Sequence, residues 1–171
     1  MPEINVPISA KGFSDLLKRI TPLTSEITAK NRLFVERLAT IGIPIINAKI
    51  SESEGDSEKG HSTYISVTNE GDGVSTATLY VQNRDILFIE FGAGIHYNNS
   101  KKKNEKASEL GYGVGSYPNQ KHAFDEHGWY YEDHGVKVHS YGTEATMPMQ
   151  SASEEIISQI RRIAREVFSG E

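Results

Sequence analysis

The sequence predicts an α+β fold: an antiparallel sheet, two N-terminal helices and a long C-terminal amphipathic helix packed on that sheet, with a long loop-and-hairpin excursion. Three observations carry this expectation. Apolar residues recur at helical spacing near both ends of the chain. The middle alternates with a period of two and is cut by glycine-rich turns, as consecutive antiparallel strands require. The most apolar run, Asp85 to Ile95, is short, rich in branched and aromatic residues, and stops at Gly92-Ala93-Gly94. Short links between successive strands favour α+β over a doubly wound sheet, and 171 residues suit one domain over 1–171.

Residues 1–8 read as a flexible extended arm (Pro2, Val6, Pro7). Ser9 can cap a first helix whose apolar face is Phe13, Leu16, Leu17 and Ile20, and Thr21-Pro22 breaks it. Pro22 or Thr24 then opens a second helix, with Glu26 in its first turn and a face of Ile27, Phe34, Leu38 and Ile41. Gly42 supplies a stop and Pro44 forbids continuation, so Ile43 to Ser51 is expected as a strand.

A polar loop follows from Ser51 to Gly60. Ser62 to Thr68 puts Tyr64, Ser66 and Thr68 on one face and Ile65 and Val67 on the other, and Asn69 to Gly73 turns the chain into a return strand, Val74 to Gln82. Asn83-Arg84-Asp85 leads into the apolar run, expected as a buried strand. Glu90 is the odd residue there, flanked by Ile89 and Phe91, and is expected on an open face, towards solvent or a neighbouring subunit.

The excursion, 96–142, begins at His96 with a polar, lysine-dense segment (Lys101, Lys102, Lys103, Lys106) and passes through Gly111-Tyr112-Gly113-Val114-Gly115. Gly128 to Tyr141 reads as a second hairpin turning at His134-Gly135. The C-terminal helix follows. Thr146 can cap it, Pro148 sits in its first turn, and its glutamates (Glu154, Glu155) lie early and its arginines (Arg161, Arg162, Arg165) late, as the helix dipole favours. A stripe of Met149, Ala152, Ile156, Ile160, Ile163 and Val167 is wide enough to cover a sheet.

A formal charge of -5 disfavours a binder that grips nucleic acid by neutralising phosphates, though not one that surrounds DNA without holding it. The absence of cysteine excludes disulfides and thiolate-ligated metal and suits a reducing cytoplasm. No apolar run reaches the roughly 18 residues of a membrane span, and the N-terminus lacks the pattern of a signal peptide.

Four of the six histidines (His122, His127, His134, His139) are interleaved with Asp125, Glu126, Glu132 and Asp133, ligand types that a divalent metal accepts. Their spacings lack the regular pitch of a helical metal site, and turn residues of this kind are ordinarily just solvated. A small metal-dependent enzyme using the His122–His139 cluster is the alternative reading. Gly111 to Gly115 has its third glycine one position early, with Ser116 where a dinucleotide fingerprint needs glycine, and lacks the following lysine of a phosphate loop. No Gly-x-Ser-x-Gly elbow is present. No catalytic, cofactor-binding or metal-ligating residue is assigned.

The order of several short motifs resembles the tail-completion, or head–tail joining, proteins of long-tailed bacteriophages and prophages. The strand-end signature reads Ile89-Glu90-Phe91-Gly92-Ala93-Gly94, with Ala93 where many relatives have threonine, and the helix opening reads Gly142-Thr143-Glu144-Ala145-Thr146-Met147-Pro148-Met149. Gly111 to Pro118, Gly128-Trp129-Tyr130-Tyr131 and Ser140-Tyr141-Gly142 look like the version from phages of Gram-positive hosts. The resemblance spans roughly residues 10 to 168. It implies a non-enzymatic virion protein that forms a homo-oligomeric ring, expected to be a hexamer, at the neck or the head-proximal end of the tail. The implied partners are other neck, head-completion and tail-tube proteins. DNA would pass through without specific binding, no membrane or cofactor is involved, and the chain is made in the host cytoplasm.

Overall fold

The computed structural model describes residues 10–53, 60–70, 73–94 and 125–169. The N-terminal half is organised by one helix, α1 (Ala10–Ser51), of 42 residues and about 63 Å at 1.5 Å per residue. The two expected N-terminal helices and the expected strand Ile43–Ser51 are therefore a single element. Pro22 and Pro44 lie inside it and both are exposed. Each leaves one upstream carbonyl without its helical amide, at Lys18 and Thr40, and both of those residues are exposed as well, so water can take the place of the missing donor. Gly42, expected as a stop, is a buried notch in this helix. A Cβ there would lie 2.6 Å from Leu79 Cδ2 and 3.2 Å from Ile156 Cδ1. Packing on two sides overrides local propensity here.

β1 (Ser62–Glu70) and β2 (Val74–Gln82) form an antiparallel ribbon in the register Tyr64↔Tyr80 and Thr68↔Thr76. Its outer face carries the stacked rings of Tyr64 and Tyr80, 5.0 Å between centroids, and its inner face, with Ile65, Val67, Leu79 and Val81, lies on α1. The Asn31 Nδ2 amide donates to the Gly73 carbonyl (2.9 Å), fixing the ribbon's tip, while Asn47 Oδ1 accepts from the Thr63 hydroxyl (2.8 Å) at its base.

The run 85–95, expected as a strand, contains instead a short helix, α2 (Ile86–Phe91). Asn83 Oδ1 accepts from the Asp85 amide (2.7 Å), and the Phe88 and Ile89 amides both donate to the Asp85 carbonyl, so the chain is already turning as the apolar residues begin. β3 (Ala93–Gly94) follows. After it come β4 (Trp129–Asp133), β5 (Val136–Ser140), β6 (Gly142–Thr143) and α3 (Pro148–Phe168). β4 pairs with β5 through a turn at His134-Gly135, as expected, and β3 pairs with β6. The strands thus form three two-stranded ribbons rather than one sheet among the described residues.

α3 runs antiparallel to α1. Phe168 packs at a tilt against Phe34 with centroids 5.8 Å apart, Ile163 and Val167 bury Leu38, and Ala152 joins Ile46, Ile50 and Ile89 in the main core. Leu79 and Val81 of the ribbon, with Met149 of α3, close that core, so the C-terminal helix does pack on sheet as well as on helix. Among the described residues no helix is long and apolar enough to cross a membrane. The proposed caps and motifs in 1–9, 95–124 and 170–171 lie outside the described residues, including Ser9, the lysine run, the Gly111 loop and His122.

Candidate functional site

α3 opens without a side-chain cap of its own. Its N-cap position is Met147, in the left-handed region at φ 53, followed by fully buried Pro148. The first amides of a helix have no intrahelical acceptor and must find one elsewhere. They find Glu90. Its Oε2 accepts from the Met149 amide at 2.7 Å and its Oε1 from the Gln150 amide at 3.1 Å. Glu90 is only 6% exposed, so the expectation of an open face is overturned. Turning as a helix, the run carries Glu90 inward beside Ile89 rather than alternating it outward. A buried carboxylate is tolerated when charge-assisted hydrogen bonds and a favourable dipole surround it, and a helix N-terminus supplies both.

Thr146, expected as the cap, has a different task. Its hydroxyl donates to the Lys49 carbonyl in the last turn of α1 (2.8 Å). Its amide donates to the Ile89 carbonyl (2.9 Å), which also accepts from the Met147 amide (3.3 Å). Three helix termini therefore meet in one junction: the C-terminal ends of α1 and α2 supply carbonyls, the start of α3 supplies amides, and two side chains, Glu90 and Thr146, complete the exchange. The two motifs that stood apart in the sequence, Glu90-Phe91-Gly92-Ala93-Gly94 and Thr143 to Met149, are the two halves of this contact.

Just beyond the junction, Ala93↔Thr143 and Gly94↔Gly142 pair and pinch together the chain on either side of residues 95–141. Side chains would not fit. A Cβ on Gly142, at φ 109, would lie 2.0 Å from the Ala93 carbonyl oxygen, and one on Gly94 would meet the Trp129 ring at 2.8 Å. The β4–β5 hairpin is tied to the body a second time by the Arg84–Asp133 ion pair at 3.2 Å.

The described histidines do not converge. His139 stacks on Tyr130 (4.3 Å between centroids), meets Tyr141 edge-on, and its Nε2 lies 2.7 Å from the His127 carbonyl. A carbonyl only accepts, so Nε2 carries the proton and cannot ligate a cation while that bond stands. Asp125 Oδ1 accepts from the His127 amide at 2.9 Å as a turn cap, and His134 sits at the exposed hairpin tip. Among the described residues no three His, Asp or Glu side chains group as metal ligands would. No family model, curated protein or solved structure matches this chain.

Sequence reasoning singled out Glu90 but missed its partners. A signal was present: Pro148 in the first helical position sets Met147 rather than Thr146 at the cap, and Met147 has no acceptor side chain for the amides that follow.

Proposed function

We propose that this chain is a structural subunit of a long-tailed phage or prophage virion. In this reading it closes a homo-oligomeric ring, a hexamer by its resemblance, at the neck or the head-proximal end of the tail, where it joins head-completion and tail-tube proteins and lets DNA pass. One observation carries the reading. Glu90, the one carboxylate inside the apolar run, caps the backbone that joins the two motifs of the resemblance, which supports an architectural role for both. The acidic balance suits a channel that repels rather than retains DNA, and the exposed Leu17, Ile27, Tyr80 and Ile157 offer surface for neighbours.

The test is genetic and visual. Deleting the gene from a phage that carries it should leave filled heads and finished tails that fail to join, and supplying the protein in trans should restore whole particles. Intact, infectious particles without the protein would overturn the proposal.

A further inference from the structure

The two ends of α1 are held very differently. Its carboxyl half buries Leu38, Ala39, Gly42, Ile46 and Ile50. From Ser14 to Ile27, every described side chain except that of Leu16 is exposed. The polar ties of this stretch stay inside the helix. Asp15–Lys18 (4.0 Å) and Glu26–Lys30 (3.0 Å) pair solvated neighbours, and such pairs hold little. The hydroxyls of Thr21, Thr24, Ser25 and Thr28 donate back to the carbonyls of Leu17, Ile20, Pro22 and Thr24, at 2.8, 3.1, 2.8 and 2.9 Å. Bonds of this kind compete with the helical amides and bend the helix. Pro22 removes an amide in the same turns, and the branched Ile20, Thr21, Thr24, Ile27 and Thr28 lower the propensity further. Without packing, a helical segment of this length and composition is marginal in water.

Among the described residues, the first hydrogen bond from this end of α1 to another element comes at the ribbon tip. Asn31 Nδ2 reaches the Gly73 carbonyl, 42 residues on, in a partly buried bond of 2.9 Å. A Cβ on Gly73 would lie 3.5 Å from Thr28 Oγ1, so the tip rests on the turn from Thr28 to Asn31. One turn further, Phe34 meets Phe168 and the packed half begins.

We propose that α1 opens in parts: residues 10–27 unfold and refold while the body stays intact, and the Asn31–Gly73 clasp sets where the opening stops. With the tip in place, the helix is held from about Thr28 onward. With the tip drawn away, opening runs on to Phe34. The order of the arm is thus coupled to the position of the ribbon through one side chain. The coupling is a property of the single chain and stands independently of the ring proposal.

Amide hydrogen exchange of the full chain tests it. Residues 14–27 should show protection factors below about 10, and residues 45–50 above about 10³. Asn31→Asp keeps the side chain's shape and helix propensity but removes the donor. Protection of residues 29–33 should then fall about tenfold, to the level of the arm, while residues 45–50 stay about a hundredfold or more above them. Pro22→Ala returns an amide to the Lys18 carbonyl and should raise the protection of residues 23–27 about tenfold. Three results would each overturn the proposal: an arm protected within about tenfold of residues 45–50, residues 29–33 unchanged in Asn31→Asp, or an arm no better protected in Pro22→Ala. So would an Asn31→Asp chain in which residues 45–50 drop to the level of residues 29–33, since the clasp would then belong to the whole fold.

Discussion

The carboxylate of Glu90 holds the backbone amides of Met149 and Gln150, 59 and 60 residues downstream, at 2.7 and 3.1 Å. Helix caps are usually local, supplied by the residue just before the first turn. Here the cap comes from another helix, so the start of α3 depends on α2 being folded and correctly placed.

Replacing Glu90 tests that dependence. Glu90→Gln keeps the shape but loses the charge and turns one oxygen into a donor facing an amide, so unfolding free energy should fall by about 1–3 kcal/mol. Glu90→Ala leaves two buried amides unmet and a void, and should cost about 3–5 kcal/mol. Urea denaturation of both variants measures the difference. A Glu90→Gln protein as stable as the parent would show that the charge contributes nothing.

Thr146→Val removes one hydroxyl and keeps the volume. The Lys49 carbonyl then loses its donor at the end of α1, and a loss of about 1–2 kcal/mol follows, or roughly 2–8 °C in melting temperature for a chain of this size. Thr146→Ser should recover most of it. Calorimetry of the two variants side by side separates the lost bond from lost packing.

Gly142→Ala places a methyl group where the Ala93 carbonyl already sits, at a φ of 109 that side chains rarely adopt. The β3–β6 bridge should open, with a loss of about 2–4 kcal/mol or failure to fold. Gly135→Ala is the control: its φ is also positive, at 81, but a Cβ there meets nothing within 4 Å. It should cost only about 1 kcal/mol. Equal losses in the two variants would assign the effect to backbone conformation rather than to the close approach.

The two helix prolines should respond differently to the same change. Pro44→Ala restores an amide within the packed half of α1 and should raise global stability by about 1–3 kcal/mol. Pro22→Ala acts in the exposed half, where no described residue is fully buried before Leu38. It should raise helical content by circular dichroism while moving the global unfolding midpoint little.

What was legible in the sequence follows the range of the forces involved. The Ser62–Gln82 ribbon and the turn at His134-Gly135 rest on alternation and turn chemistry, which are local, and both appear as read. The stripe of α3 was equally plain. Pro22, Gly42 and Pro44 misled because their breaking tendency is local while their tolerance is tertiary: Gly42 is wanted as a notch for Leu79 and Ile156. Ile43, Ile46 and Ile50 in fact carry helical spacing, and Ile46 and Ile50 are fully buried. The run 85–95 was too short for periodicity to separate strand from helix. Of the candidate site, Glu90 could be found but its partners could not, because they are backbone amides supplied by a contact spanning 59 residues.

The β3–β6 bridge has a consequence for how such a chain can diversify. Ala93 and Thr143 are held together by their own glycine-matched pairing and by the junction beside it, with Trp129 of β4 packed against Gly94. The entropy of closing a loop grows only logarithmically, with each doubling of length adding about 0.6 kcal/mol. Lengthening the chain between those two residues, away from Trp129 and Asp133, should therefore cost the body little. The bridge thus separates the cost of closing the chain at 93 and 143 from the number of residues it spans.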